Sequence, residues 1–94
     1  MKNEIKGIML EEGISEREAV KYLVSNELGK LETSNNGYAI DLDESGSKFV
    51  VVNRSFADYD FYFTDRRAGQ KIVDILNEYK ITGTEYLTIV DYIY

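Results

Sequence analysis

The chain has 94 residues, 17 of them acidic and 11 basic, a formal charge of −6, and neither cysteine nor histidine. Disulfides and thiolate metal sites are therefore excluded, and the commonest general base and metal ligand is missing, which leaves carboxylates, lysine and tyrosine as the groups able to do chemistry. Such acidity disfavours generic binding to nucleic acid or to an anionic membrane, and favours a partner with a basic groove.

The length suits one domain, residues 1–94, with a modest core. Met-Lys-Asn-Glu-Ile-Lys at the start is followed by no long apolar run. No signal peptide and no membrane span are expected, and a cytoplasmic location follows. A charge of this size also keeps a small domain soluble.

The spacing of Ile5, Ile8 and Met9 predicts a short helix over Lys2–Glu12, weakened by Gly7 and ended by Gly13. Ser15–Leu28 carries the strongest helical signal. Ser15 and Glu18 form a capping box, and Ile14 can staple against Ala19. Ala19, Val20, Leu23, Val24 and Leu28 make one apolar stripe before Gly29. Glu32–Gly37, through Thr-Ser-Asn-Asn-Gly, reads as a loop.

Tyr38–Asp43 alternates apolar and polar residues, as a half-buried strand does. Glu44-Ser45-Gly46-Ser47 then turns the chain into Lys48–Arg54. Phe49–Val52 is apolar at every position, which points to the middle strand of a meander. Tyr59, Phe61 and Phe63 alternate with Asp60 and Tyr62 in a third strand. Asp65 or Thr64 caps a helix running to about Tyr79, with Ala68, Ile72, Leu76 and Tyr79 on its inner face and Val73 and Ile75 beside them. Gly69 within that helix suggests close approach to the sheet. Thr84–Tyr94 is rich in Ile, Val, Thr and Tyr, so a fourth strand is preferred there. The sum is an α+β domain: two N-terminal helices, a three-stranded antiparallel meander, a helix and a C-terminal strand.

Three groups of residues invite a functional reading. Asp41-Leu-Asp43-Glu-Ser45-Gly46 matches the opening of a calcium loop. The match fails at Lys48, where an aliphatic residue belongs, and at Val52, where a bidentate glutamate belongs. Asp41, Asp43 and Ser45 therefore read as parts of a hairpin turn, and no metal or cofactor is expected. Next is an acidic sheet face. If helices cover the apolar side, Asp41, Asp43, Asp60 and Tyr62 share the other side, with Glu44 and Asp58 at the strand ends. Carboxylates would then ring an apolar and aromatic centre, a pattern suited to an interface. Finally, eight tyrosines, together with Arg54, Arg66 and Arg67, could stack on bases or a small ligand.

No nucleophile–base pair or phosphate-binding glycine loop occurs. Small size, acidity, lack of cysteine, lack of catalytic residues and a helix-plus-antiparallel-sheet plan resemble the small phage-encoded inhibitors of restriction and CRISPR nucleases. The resemblance is to a class, rests on overall character rather than on a motif, and assigns no residue a role. It implies a non-enzymatic nucleic-acid mimic; on the acidic face read from the strands, Asp41, Asp43, Glu44, Asp58 and Asp60, with Tyr62, are then the residues expected to occupy the basic groove of a nuclease-type partner. Two other readings stand beside it. One is a self-associating structural or regulatory protein using an edge strand or the tyrosine-rich C-terminus. The other is a small nucleic-acid or ligand module using tyrosine stacking.

Overall fold

The computed structural model describes residues 2–34, 37–54 and 62–93. The fold is α+β. Helices α1 (Lys2–Glu12) and α2 (Glu16–Gly29) precede strands β1 (Thr33–Ser34), β2 (Gly37–Leu42), β3 (Phe49–Arg54) and β4 (Tyr62–Phe63). Helices α3 (Arg66–Glu78) and α4 (Gly83–Ile93) follow.

Local chemistry sets the helix ends. The Glu18 N–H donates to the Ser15 hydroxyl at 3.2 Å, which is one half of the capping box. Gly13 ends α1 with φ 63, and its N–H reaches the Met9 carbonyl at 2.9 Å. The Asp65 carboxylate caps α3 by accepting from the Arg67 N–H at 2.9 Å. At the far end of α3, the Ile81 N–H bonds the Leu76 carbonyl at 2.9 Å and the Lys80 N–H bonds the Asn77 carbonyl at 3.3 Å. This is a Schellman ending. Its left-handed residue is Lys80, φ 53, at a position that glycine usually takes.

Ala19, Val20, Val24 and Leu28 of α2 meet Ile72, Val73, Ile75 and Leu76 of α3 in one buried cluster, joined by Ile40, Phe49 and Phe63 from the sheet. Gly69 is where α3 touches the sheet. A Cβ there would overlap the ring of Phe63, which is itself 1 % exposed, so the close approach expected at Gly69 is present.

Three expectations are corrected. The C-terminal segment is a helix, not a fourth strand. Thr82 and Glu85 cap α4 reciprocally: the Glu85 N–H donates to Thr82 Oγ1 at 3.1 Å, and the Thr82 N–H donates to Glu85 Oε1 at 3.2 Å. That cap, and burial of Ile89 as α4 packs against α2, override the β propensity of the segment. The meander is also corrected. The sheet order is β1-β4-β2-β3, all neighbours antiparallel where paired, so β2 is interior and β3 is an edge. β4 crosses to the other side of β2, where Tyr38 pairs with Phe63. Gly37 permits it: at φ 131, a Cβ there would lie 2.8 Å from the Phe63 carbonyl oxygen. A short strand, β1, stands where a loop was expected, pairing Thr33 with Phe63 and Ser34 with Tyr62. Tyr59–Phe61, the start of the predicted third strand, lies outside the described residues.

The apolar run of β3 splits between two faces. Phe49 and Val51 belong to the helix-side core, whereas Val50 and Val52 are half-buried and stand outside that cluster. Cross-strand partners follow suit. Ile40 opposite Val51 is in the core, and Asp41 opposite Val50 is on the other face.

Candidate functional site

The β2–β3 hairpin holds the described part of the predicted acidic surface. Its turn is built from Asp43. The Gly46 N–H returns to the Asp43 carbonyl at 2.9 Å, with Gly46 at φ 73. The Asp43 carboxylate accepts from the Ser45 hydroxyl at 2.8 Å and from the Ser47 N–H at 3.1 Å. The Asp43 N–H closes the ladder on the Lys48 carbonyl at 2.9 Å. The Ser45 hydrogen bond is the largest single cause that holds the Asp43 carboxyl below its ordinary range, with the Ser47 and Lys48 backbone and the Lys48 charge assisting against partial burial. Asp43 is thus an ionised turn organiser, half-buried, with Glu44 exposed beside it at the tip.

Asp41 is half-buried on the face turned away from the helix-side core, opposite Val50, and accepts from the Leu42 N–H at 2.8 Å. Val52 lies on the same face. The structure therefore brings Asp41, Asp43 and Glu44 to one hairpin, next to two half-exposed valines. Tyr62 departs from expectation. It is 6 % exposed, so it offers no open aromatic surface. By alternation it stands on the face opposite that of Phe63, the one that carries Ala39, which is also buried, so this part of that face is covered rather than open. Asp58 and Asp60 lie outside the described residues.

The oxygens of the calcium-like stretch are spent on one another: Ser45 and Ser47 hydroxyls stand 2.6 Å apart, and both residues bond Asp43. Among the described residues, no group of three or more Asp or Glu side chains comes together to hold an ion. Of the residues invoked for stacking, Arg66 and Arg67 are exposed at the start of α3. Tyr86 packs edge-on to Phe49, ring centres 5.1 Å apart, while Tyr92 on α4 is 89 % exposed.

Sequence reasoning missed the most organised charged group, which surrounds Glu85. Arg17 of α2 donates to both carboxylate oxygens of Glu85, through Nε at 2.9 Å and through Nη2. The same guanidinium donates to the carbonyls of Tyr79 and Lys80 at the end of α3. Lys21 approaches Glu85 at 3.5 Å. The Arg17 hydrogen bonds, above all, hold the Glu85 carboxyl at about 2, with the Thr82 N–H and the charges of Arg17 and Lys21 adding to them. One guanidinium so ties α2 to the end of α3 and the start of α4. The signal was present as Thr82-Gly-Thr-Glu85, the pattern of a second capping box. Among the described residues, no helix is long and apolar enough to cross a membrane.

Comparison with protein-family models, with curated proteins and with solved structures finds no match.

Proposed function

We propose that this protein acts by binding rather than by catalysis. It occupies a basic, nucleic-acid-binding groove of a nuclease-type protein through the acidic face of the β2–β3 hairpin. The observation that carries this reading is the cross-strand pair Asp41–Val50, set on the face turned away from the core beside Val52 and the Asp43–Glu44 turn. Carboxylates on a rigid hairpin can stand where phosphates stand, and half-exposed valines add apolar contact once water leaves. The absence of histidine and cysteine from the chain agrees with a binding role. In this reading the location is cytoplasmic, and the likeness to phage-encoded anti-defence inhibitors is one of function.

The test is affinity capture from a bacterial lysate, followed by challenge of the captured partner with duplex DNA and with salt. Both release the partner if the groove is the target. Asp41→Lys with Glu44→Lys abolishes capture, while Asp43→Asn keeps the turn's acceptor and weakens capture less. A second arm reverses Asp58 and Asp60. Capture that survives all these charge reversals, or that nucleic acid does not displace, ends the proposal.

A second reading, self-association, is favoured by the exposed edge of β3. The Asp43–Lys48 bond sets the ladder phase, so Val50 and Val52 bond inward to β2 while the backbone groups of Phe49, Val51 and Asn53 point outward. Asn77 takes the pair on Phe49, accepting from its N–H at 2.8 Å and donating to its carbonyl at 2.9 Å. Val51 and Asn53 keep an open edge among the described residues, and such edges template strand pairing. Light scattering tests it: a dimer that persists in high salt and is lost in Asn53→Pro supports this reading over the first.

A further inference from the structure

A cleft of about 520 Å³ opens between the β2–β3 turn and the junction of α3 with α4. Its size falls in the range of small-molecule sites. Apolar and cationic side chains meet there. Leu42 and Ile81 line it together with Lys48 and Lys80. Leu42 is the apolar residue of β2 that the core leaves open, at 38 % exposure, and its side chain lies against Gly83 at the start of α4. Among the described residues, neither Lys48 nor Lys80 makes an ion pair within 4.0 Å, although the chain carries −6 overall. Two of the nearby carboxylates are already engaged. Asp43 is bonded within the turn, where it faces Lys48, and Glu85 is held by Arg17. Thr82 and Gly83 complete the rim at the start of α4, where the cap takes up the Thr82 and Glu85 N–H groups.

We propose that this cleft binds a small amphiphilic anion, a carboxylate or phosphate monoester carrying an apolar body. Lys48 and Lys80 hold its charged end, and Leu42 and Ile81 hold its body. The site lies at the α3–α4 side of the hairpin and does not depend on the acidic face being functional.

The test titrates the intact protein with benzoate, phenyl phosphate, inorganic phosphate and benzyl alcohol, following backbone amide signals. Benzoate and phenyl phosphate produce saturable shifts at Ser47, Lys48, Thr82 and Gly83, and their order of affinity tells carboxylate from phosphate. Inorganic phosphate binds more weakly because it lacks a body, and benzyl alcohol does not bind because it lacks charge. Lys48→Gln and Lys80→Gly each weaken binding about threefold, and together about tenfold. Lys80→Gly is the decisive variant, because glycine is at ease in the left-handed conformation of that position and the fold is not put at risk. Benzyl alcohol binding as tightly as benzoate, shifts centred elsewhere, no saturable shift, or unchanged affinity in Lys80→Gly with Lys48→Gln would each overturn the proposal.

Discussion

Glu85 accepts from a guanidinium and from a helix-opening N–H, with a lysine nearby, so its ionised carboxylate strengthens the α3–α4 junction. Its pKa of about 2 lies below its ordinary 4.5, which makes its contribution a stabilising one at neutral pH. That contribution is complete above about 4.5, shrinks as pH falls between the two values, and is gone below about 2. Part of the Arg17–Glu85 pair is open to solvent, so its worth is of order 1–2 kcal/mol rather than the full linkage value. Glu85→Gln therefore lowers stability by about 1 kcal/mol at neutral pH. Glu85→Ala, which also removes the cap, lowers it by about 2 kcal/mol. Urea unfolding followed from pH 7 down to acid checks both. The gap between wild type and Glu85→Gln must close as the medium is acidified; a constant gap would assign the loss to something other than ionisation.

At the level of elements, contact between α3 and the sheet depends on an absent side chain. Gly69→Ala gains about 1 kcal/mol of helix propensity. It also drives a methyl into the fully buried ring of Phe63, an overpacking that costs about 1–3 kcal/mol. A net loss of up to about 2 kcal/mol is expected, and Phe63→Leu in the same chain recovers part of it in a double-mutant cycle. Additive losses would mean that the two residues do not share the contact. The edge strand depends in turn on Asn77. Asn77→Ala strands the Phe49 N–H and carbonyl and lowers stability by about 1–3 kcal/mol. Faster amide exchange at Phe49, with the β2 ladder unchanged, is the accompanying sign.

Which elements the sequence announces follows from range. Ser15–Glu18, Asp65 and the apolar stripes of α2 and α3 act within a turn or two, and each was legible. The β2–β3 hairpin was legible because its turn chemistry is local as well. Strand order was not, because β4 joins β2 through Tyr38–Phe63 and a glycine whose importance lies in a carbonyl far along the chain. The Phe49–Val52 run misled for a related reason. Two apolar faces suggested a central strand, but Val50 and Val52 lie on the face of an edge strand turned away from the helix-side core. α4 was legible in Thr82–Glu85, yet the β-branched and aromatic residues after it argued the other way. Of the acidic site, Asp41, Asp43 and Glu44 gather as their spacing implied, while Tyr62 lies on the face that alternation gives it, opposite that of Phe63, but is covered there, which alternation alone does not encode.

Across the whole molecule, α2 is the hub. It packs against α1, α3 and α4, and Glu27 reaches Lys71 of α3 at 3.3 Å while Arg17 holds the α3–α4 junction. α1 has no such set of neighbours. Its main packing partner is α2, and Ile5 is its one fully buried residue, with Ile8 and Met9 covering the cluster in part. Gly7 lowers its intrinsic helicity further, and an 11-residue helix is marginal without tertiary support. Little apolar area is thus exposed when α1 detaches, whereas opening α2 or α3 exposes the entire cluster. Stability should accordingly be graded, with α1 opening by a local route and α2, α3 and β2 opening only with the whole. Native-state amide exchange at increasing urea shows it: α1 amides exchange at a lower free energy and with a shallower urea dependence than those of Val24 or Leu76. Ile5→Ala should lower α1 protection further while leaving the α3 amides nearly as they were. Equal protection and equal urea dependence in α1 and α2 would instead make the 94 residues one cooperative unit.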